Sequence, residues 1–205
     1  TSTTTFTLTV SNPNCSQGNF SGTTEVTVGT APASIAIGDF NGDGKQDFAA
    51  GNYNSATVSI RLGDGAGGFS GSTNVAVGTN PRSVAIGDFN GDGKQDIAAA
   101  NEGSATVSIR LGDGAGGFSG STNVGVGSQP YSVAIGDFNG DGKQDFAASN
   151  FGSTTVSIRL GDGAGGFSGT TNVDFGANPG ILGIGDFNGD GKQDIAAVNY
   201  NSNNP

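Results

Sequence analysis

The chain has 205 residues, a formal net charge of −10, 39 glycines and a hydrophobic content of 33%. This length is sufficient for one domain with a sizeable core, and the dense glycine favours short strands and turns over helices. The acidic balance, with no cluster of basic residues, excludes a typical nucleic-acid-binding surface. We also expect no membrane insertion, because no apolar run is long enough to span a bilayer.

The first thirty residues are rich in threonine and contain the only cysteine of the chain, Cys15. A single cysteine can form neither a disulfide within the chain nor a thiolate metal site. Apolar and polar residues alternate over residues 5–10, which predicts a strand, and a second strand is predicted over residues 24–28. A start at Thr1 and the lack of methionine are typical of a processed chain or a fragment, and we expect secretion.

From residue 31 onward the sequence repeats four times with a period of 88 − 39 = 49 residues. In the second copy, residues 83–88 alternate apolar and small side chains, a polar loop follows, and residues 96–101 form another apolar run. Residues 106–111 alternate with the period of a half-buried strand, and residues 118–126 supply a fourth strand. Four short antiparallel strands per repeat predict a propeller blade.

The loop between the first two strands reads Asp-Phe-Asn-Gly-Asp-Gly-Lys-Gln-Asp in every copy. It places side-chain oxygens at positions one, three, five and nine, and glycines at positions four and six let the backbone curl. Such a set suits Ca²⁺, which accepts several oxygens in a flexible geometry, better than Mg²⁺, which demands an octahedron. We predict four Ca²⁺ per chain, held by Asp39, Asn41, Asp43 and Asp47; Asp88, Asn90, Asp92 and Asp96; Asp137, Asn139, Asp141 and Asp145; and Asp186, Asn188, Asp190 and Asp194.

This loop follows Val-Ala-Ile-Gly and precedes Gly-Asp-Gly-Ala-Gly-Gly-Phe, and together they resemble the FG-GAP repeat of integrin α-subunit propellers and bacterial VCBS-type proteins. The resemblance covers residues 31 to about 200. It implies a β-propeller with Ca²⁺ between the first and second strands of each blade, serving adhesion, carbohydrate binding or scaffolding. It also implies that the seventh loop residue binds Ca²⁺ through its carbonyl, at Lys45, Lys94, Lys143 and Lys192.

We predict a single all-β domain over residues 1–205, a β-propeller with four blades of four antiparallel strands. The last copy ends after two strands and the N-terminal residues supply two more, so the fourth blade is expected to be composite. Integrin-type propellers usually have more blades, so the halves could also meet between chains and give a larger ring or a filament. The predicted blades cover residues 31–78, 80–127, 129–176, and 178–205 together with 1–29.

Two classes of turn vary among the copies, whereas the loops and third strands are nearly invariant. In an up-and-down blade both classes lie on one face, opposite the calcium loops. Their aromatic and charged residues predict a surface that stacks a sugar or grips a peptide, with neutral drift as the alternative. The candidate ligand-binding residues are Tyr53, Arg82, Glu102, Tyr131, Phe151 and Tyr200.

A recurrent arginine on the third strand is expected to be structural, pairing either with an aspartate three residues later or with an adjacent blade. The chain has no histidine, and its carboxylates outside the loops do not form converging pairs, which argues against an enzyme. We therefore expect a secreted, calcium-stabilised module for adhesion or for binding a glycan or an extracellular protein. The alternatives are a structural module that assembles through its terminal strands and a calcium-dependent, polysaccharide-active enzyme domain.

Overall fold

The computed structural model describes residues 7–8 and 24–200, and Cys15 and most of the strand predicted over residues 5–10 lie outside them. The regular elements of the described residues are β-strands, which form three five-stranded and two two-stranded antiparallel sheets. None of the described residues belongs to a helix long and apolar enough to cross a membrane. The all-β prediction is confirmed.

The strands follow the repeat of the sequence. The N-terminal sheet pairs β1 (Thr7–Leu8) with β2 (Thr24–Glu25). Unit 1 contains β3 (Pro32–Gly38), β4 (Asp47–Asn52), β5 (Thr57–Gly63), β6 (Phe69–Ser70) and β7 (Asn74–Ala76). Unit 2 contains β8 (Pro81–Gly87), β9 (Asp96–Asn101), β10 (Thr106–Gly112), β11 (Phe118–Ser119) and β12 (Asn123–Gly125). Unit 3 contains β13 (Pro130–Gly136), β14 (Asp145–Asn150), β15 (Thr155–Gly161), β16 (Phe167–Ser168) and β17 (Asn172–Asp174), and the C-terminal sheet pairs β18 (Pro179–Gly185) with β19 (Asp194–Asn199).

The predicted fourth strand of each unit is divided into two short strands. In unit 2 both β11 and β12 pair with the third strand, β10. Gly120 lies between them with a φ of 83°, a left-handed conformation that only glycine adopts easily. The glycine therefore interrupts the strand, and Gly71 and Gly169 do the same in units 1 and 3.

The third strand is buried on both faces, so the prediction of a half-buried strand is wrong. Ser108 is fully buried although it lies on the polar side of β10. Its hydroxyl accepts a hydrogen bond from Asn101 Nδ2 at 2.9 Å and donates to Asn123 Oδ1 at 2.7 Å. Because neighbouring strands satisfy these polar atoms, an alternating sequence can be covered on both sides.

The arginine of the third strand joins one unit to the one before it. Arg110 is only 7% exposed, and its Nε donates to the carbonyl of Ala76 in unit 1 at 2.9 Å. Arg61 donates in the same way to the carbonyl of Thr27 at 2.9 Å, and Arg159 to that of Gly125 at 3.1 Å. The arginine thus links adjacent units. This confirms the adjacent blade, one of the two partners that the sequence predicted.

The residues just after β2 therefore pack against unit 1. They do so in the same way as the last residues of unit 1 pack against unit 2. Val26 is buried in one cluster with Phe48 and Ala50.

The aspartates three residues after the third-strand arginines, which were the other predicted partners of these arginines, accept hydrogen bonds within local turns. For example, Asp113 Oδ1 accepts the N–H groups of Ala115 and Gly117 at 2.7 and 2.9 Å.

The hydrophobic core lies between successive units, whose first strands β3, β8, β13 and β18 are neighbours in that order. The phenylalanine at the second loop position fills this space. Phe40 is 2% exposed and lies 5.6 Å from Phe118 of the next unit, measured between ring centroids. Phe89 and Phe167 form the same pair one unit later. Phe187, the equivalent residue of the last copy, is 64% exposed, since no complete unit follows it among the described residues.

A glutamine at the eighth loop position ties the third and the fourth loop each to the loop before it. The side-chain oxygen of Gln144 accepts the backbone N–H of Asp88 at 2.7 Å, and that of Gln193 accepts the N–H of Asp137 at 2.7 Å. A Cβ on Gly87 would collide with the Gln144 amide. The same collision with a glutamine would occur at the last residue of β3 and β13, which explains why these three first strands end in glycine.

The predicted composite blade is not formed among the described residues. The sheets β1–β2 and β18–β19 are separate, with no pairing between them. The first and last strands of the array of units are exposed where their counterparts are buried. Ile35 on β3 is 39% exposed, whereas Val84 and Val133 are buried, and Val198 on β19 is 54% exposed, whereas Ala100 and Ser149 are buried. Closure into a four-bladed ring therefore stays a prediction.

The glutamine link between loops gives a matched pair of variants. Gln144→Ala leaves the N–H of Asp88 without its acceptor and should reduce the free energy of unfolding by about 1 kcal/mol. For a chain of this size that corresponds to a fall in Tm of about 2–4 °C, measurable by calorimetry. Gln46→Ala is the control, because Gln46 lies in the first of the four loops and its side chain is exposed. Equal melting temperatures for the two variants would contradict the assignment.

Candidate functional site

The predicted calcium loops are compact turns wound around their first aspartate. In the first copy, Asp39 Oδ1 accepts the N–H groups of Gly42 and Asp43 at 2.7 and 3.2 Å, and Oδ2 accepts that of Gly44 at 2.8 Å. Gly42 and Gly44 have φ values of 73° and 80°, so both loop glycines use the left-handed conformation that the sequence predicted for tight curling. Asn41 Oδ1 accepts the N–H of Asp43 at 3.1 Å.

The ninth residue of each loop anchors it to the sheet. Asp47 is fully buried, and its carboxylate accepts the N–H of Phe40 through Oδ2 and that of Gly63 through Oδ1, both at 2.8 Å. Gly63 ends the third strand, so one carboxylate joins the start of the loop to another strand of the unit. Asp96 and Asp145 repeat the arrangement.

The acidic residues of one loop influence each other electrostatically. Burial raises the pKa of Asp96, and the nearby charges of Asp92 and Asp88 raise it further, against the N–H groups of Gly112 and Phe89, which lower it. At the exposed fifth position, the backbone N–H of Lys94 is the main cause of a lowered pKa for Asp92. The loop thus gathers carboxylates whose charges repel one another, which is an environment that favours a bound cation.

The donor set of each loop fits Ca²⁺, although the side chains are engaged with protein groups. In the described part of the chain no three carboxylate, thiol or imidazole groups are arranged as a ready metal site. Asp43 Oδ2, for example, lies 3.3 Å from the ammonium of Lys45. A carboxylate oxygen that accepts one N–H still has a second lone pair for a cation, and Asp43 can exchange Lys45 for a metal. The predicted ligands, including the lysine carbonyls, therefore stay a prediction.

The six predicted ligand-binding residues come together on one surface, which we call the recognition face. They occupy two positions of the repeat that vary among the copies. The first follows the proline that begins the first strand, and the second begins the turn after the second strand. The first position holds Ala33, Arg82, Tyr131 and Gly180, and the second holds Tyr53, Glu102, Phe151 and Tyr200.

One end of the recognition face is polar. The hydroxyl of Tyr53 donates to Glu102 Oε1 at 3.2 Å, and Arg82 Nη2 donates to the hydroxyl of Tyr131 at 3.2 Å. The second guanidinium nitrogen, Nη1, lies 3.7 Å from Glu102 Oε2. The guanidinium carbon is also 4.5 Å from the centre of the Tyr131 ring, which is a cation–π contact. The hydrogen bond from Arg82 lowers the pKa of Tyr131.

The other end is aromatic. Tyr131, Phe151 and Tyr200 form a triangle with ring centroids 5.4 to 5.9 Å apart. Gly180 makes this possible, because a Cβ there would collide with the ring of Tyr200. Tyr200 is 51% exposed, so the triangle offers a ring surface to the solvent.

The backbone under the recognition face holds these side chains in register. In the three complete units, the residue before the first-strand proline, at Ala31, Asn80 and Gln129, has a φ of 52 to 55°. Its carbonyl accepts the N–H of the second variable position, as the carbonyl of Asn80 accepts the N–H of Glu102 at 2.9 Å. The pattern recurs between Asn178 and Tyr200 at 3.2 Å. Every unit therefore presents its variable side chain from the same fixed turn.

A cavity of about 460 Å³ opens at the centre of the recognition face, and all four first strands contribute to its wall. Two serines of the wall join neighbouring strands: Ser83 Oγ accepts the N–H of Val133, and Ser132 Oγ accepts that of Leu182, both at 3.3 Å. This size lies in the range of small-molecule sites, about 300–1,000 Å³. The lining residues are Ala33, Arg82, Ser83, Tyr131, Ser132 and Ile181.

Sequence reasoning grouped the six side chains of the recognition face but missed the residues that support them. The serines of the cavity wall and the loop glutamines were present as a signal, since they recur at the repeat interval. Recurrence alone does not tell which unit a side chain contacts. Gly180 gave no signal of its role, because the ring that needs the space follows 20 residues later (200 − 180 = 20).

The fold of this chain is similar to that of several solved structures. Among solved structures, the chain is similar to a functionally unknown protein from Desulfotomaculum acetoxidans, with a TM-score of 0.61 and 17% identity over 78% of this chain and 47% of that one. It is also similar to BBS1N in complex with ARL6DN, with a TM-score of 0.54 and 11% identity over 84% and 48% of the two chains. A third similar structure is a lectin of Agrocybe aegerita, studied for its specific recognition of non-reducing terminal N-acetylglucosamine. It gives a TM-score of 0.51 and 20% identity over 79% of this chain and 45% of the lectin chain.

These identities show a shared fold alone, and the chain spans less than half the length of each of the three structures. No curated protein sequence matches it. The profile of the FG-GAP-like repeat matches three overlapping stretches, residues 39–99, 88–148 and 137–197. Together these stretches cover most of the chain, which therefore belongs to the FG-GAP-like repeat family.

Proposed function

We propose that this chain is a secreted, non-enzymatic binding module, stabilised by Ca²⁺, whose recognition face binds a glycan or an extracellular protein. The observation that carries the proposal is the concentration of variation at two repeat positions whose side chains contact each other across units. Tyr53 with Glu102, and Arg82 with Tyr131, are bonded pairs separated by one repeat. Neutral drift in exposed turns does not by itself predict such complementary contacts, whereas tuning of a recognition surface does.

Calcium has a structural role in this proposal. Each loop brings three carboxylates and an asparagine oxygen into nine residues, and a bound Ca²⁺ offsets the repulsion among these carboxylates. The loops lie at the opposite ends of the first and second strands from the recognition face. Extracellular calcium is concentrated enough to fill sites with a Kd of about 10⁻⁴–10⁻³ M, which supports secretion. The ion therefore holds the units rigid and takes no part in ligand contact.

Removing calcium tests this role. A ligand of the folded state stabilises it by about 2.7 kcal/mol per site at one hundred times Kd, so each emptied site should lower Tm by roughly 5–10 °C. We expect excess chelator to lower Tm strongly and calorimetric titration to give four Ca²⁺ per chain. Asp92→Asn should reduce the count to three. The same melting curve with calcium and with chelator would contradict the proposal.

The recognition face is tested by removing its rings. We expect the double variant Tyr131→Ala/Phe151→Ala to lose binding to whatever the native chain captures on arrays of glycans and extracellular matrix proteins. Phe187→Ala is the matched control, because it removes a 64% exposed ring from a calcium loop at the other end of the strands. Loss of binding in the control but not in the double variant would move the site to the loops.

A second candidate function is the assembly of several chains. The two ends of the array of units, at β3 and at β19, have exposed strands that favour it, and we call these ends the open flanks. Val26 and Val28, just after β2, pack against unit 1, whereas β18 and β19 form only the first two strands of a unit. Val198 on β19 is 54% exposed, while its counterparts Ala100 and Ser149 are fully buried. Apolar exposure at a strand without a neighbour is typical of a surface that pairs with another strand.

Light scattering distinguishes assembly from a single chain. If the flanks join chains, the mass should rise with protein concentration, and Val198→Glu should restore the monomer. Ser121→Glu is the control, since Ser121 is an exposed turn residue of unit 2, which has a complete unit on each side. A monomer at every concentration would exclude this second function.

A further inference from the structure

The recognition face is charge-balanced. The sequence has eight basic residues: four lysines in the calcium loops, three arginines on the third strands, and Arg82. Arg82 is thus the one cation available to a ligand on this face, and Glu102 beside it cancels its charge. With the four proposed Ca²⁺ bound, the formal charge of −10 becomes −10 + 8 = −2, so the chain does not attract an acidic ligand at long range. These charges favour an uncharged ligand.

Arg82 and Glu102 present a donor and an acceptor side by side. Nη1 of Arg82 and Oε2 of Glu102 are 3.7 Å apart, which is too far for a direct hydrogen bond. The other atom of each group is already hydrogen-bonded to a tyrosine: the Tyr131 hydroxyl accepts from Arg82 Nη2, and the Tyr53 hydroxyl donates to Glu102 Oε1. The facing Nη1 and Oε2 atoms are left to a ligand. Two adjacent hydroxyl groups match them, one accepting from arginine and the other donating to glutamate.

The aromatic triangle and the cavity complete the match. Tyr131 joins both ends of the recognition face, since its ring contacts Arg82 on one side and Phe151 on the other. Ring faces next to hydrogen-bonding groups suit a sugar, whose C–H face is apolar and whose edge carries hydroxyls. The hydroxyl hydrogens of Ser83 and Ser132 can donate into the cavity, because both oxygens already accept a backbone N–H.

We infer that the recognition face binds an uncharged saccharide, whose vicinal hydroxyls bridge Arg82 and Glu102 while its ring stacks on the aromatic triangle. This inference rests on the proposed binding function and specifies its ligand class. An acidic sugar would be repelled by Glu102 and by the net negative charge of the chain. A cationic ligand would be repelled by Arg82, which already occupies the cation–π position over the Tyr131 ring.

The test uses an array of immobilised neutral glycans ending in hexoses, the same glycans capped with sialic acid, and a parallel array of peptides. We expect the native chain to bind neutral glycans with a free vicinal pair of hydroxyls. Titration with the methyl glycoside of the bound terminal hexose should then show at least a tenfold weaker Kd for derivatives lacking either hydroxyl. Glu102→Gln leaves Arg82 unbalanced, and it should reduce the preference for neutral over sialylated glycans at least tenfold.

A pair of glycine variants tests the stacking surface without removing a ring. Gly180→Ala displaces Tyr200 and should weaken saccharide binding, whereas Gly183→Ala should not, because a Cβ at Gly183 on the same strand meets no atom within 4 Å. Melting curves confirm that both variants fold.

Other outcomes overturn the inference in distinguishable ways. Capture of sialylated glycans or peptides, lost in Tyr131→Ala/Phe151→Ala, would refute the ligand class and leave the binding function intact. Saccharide binding that survives Glu102→Gln and Gly180→Ala unchanged would refute the placement. No binding to either array by the folded, calcium-loaded chain would refute both the inference and the binding function.

Discussion

The buried carboxylate at the ninth loop position is the constraint on which the rest of the structure depends. In each complete unit it accepts one N–H from the start of the loop and one from the end of the third strand, as Asp96 does from Phe89 and Gly112 at 2.8 Å each. Losing it would leave two N–H groups without acceptors, at a cost of about 1–3 kcal/mol each. Within residues 24–200, Asp194 accepts the loop bond from Phe187 but no bond from a third strand, and the last copy is correspondingly more exposed. A unit is therefore complete when its third strand reaches this aspartate.

The same repeat separates support from recognition. Bonds between units use residues that hardly change, namely the third-strand arginine, the loop glutamine and the loop phenylalanine. Much of the variation lies on the recognition face, where the backbone of each variable turn is fixed by the same N–H bond. A ligand surface can therefore change residue by residue without loss of the fold, since the arginine, glutamine and phenylalanine that join the units are left unaltered.

Much of the fold could be predicted from the sequence, because a 49-residue period and alternating strands leave little choice of architecture. Three features could not. The burial of Ser108 and Arg110 was missed since alternation is normally read as exposure on one face, and here a second unit covers it. The partner of Arg110 is a carbonyl 34 residues earlier, which no local pattern reveals. The role of Gly180 depends on a ring from another strand.

The central claim is that the repeat is a scaffold whose two variable positions create the binding site. It is tested most directly by making the units uniform, with the four changes Arg82→Ala, Tyr131→Ala, Glu102→Tyr and Phe151→Tyr, which give units 2 and 3 the residues of unit 1. The measurement is saccharide binding by this variant beside its melting temperature in calcium. We predict that melting stays within a few degrees of the native chain while binding is lost. Retained binding, or a variant that does not fold, would contradict the account.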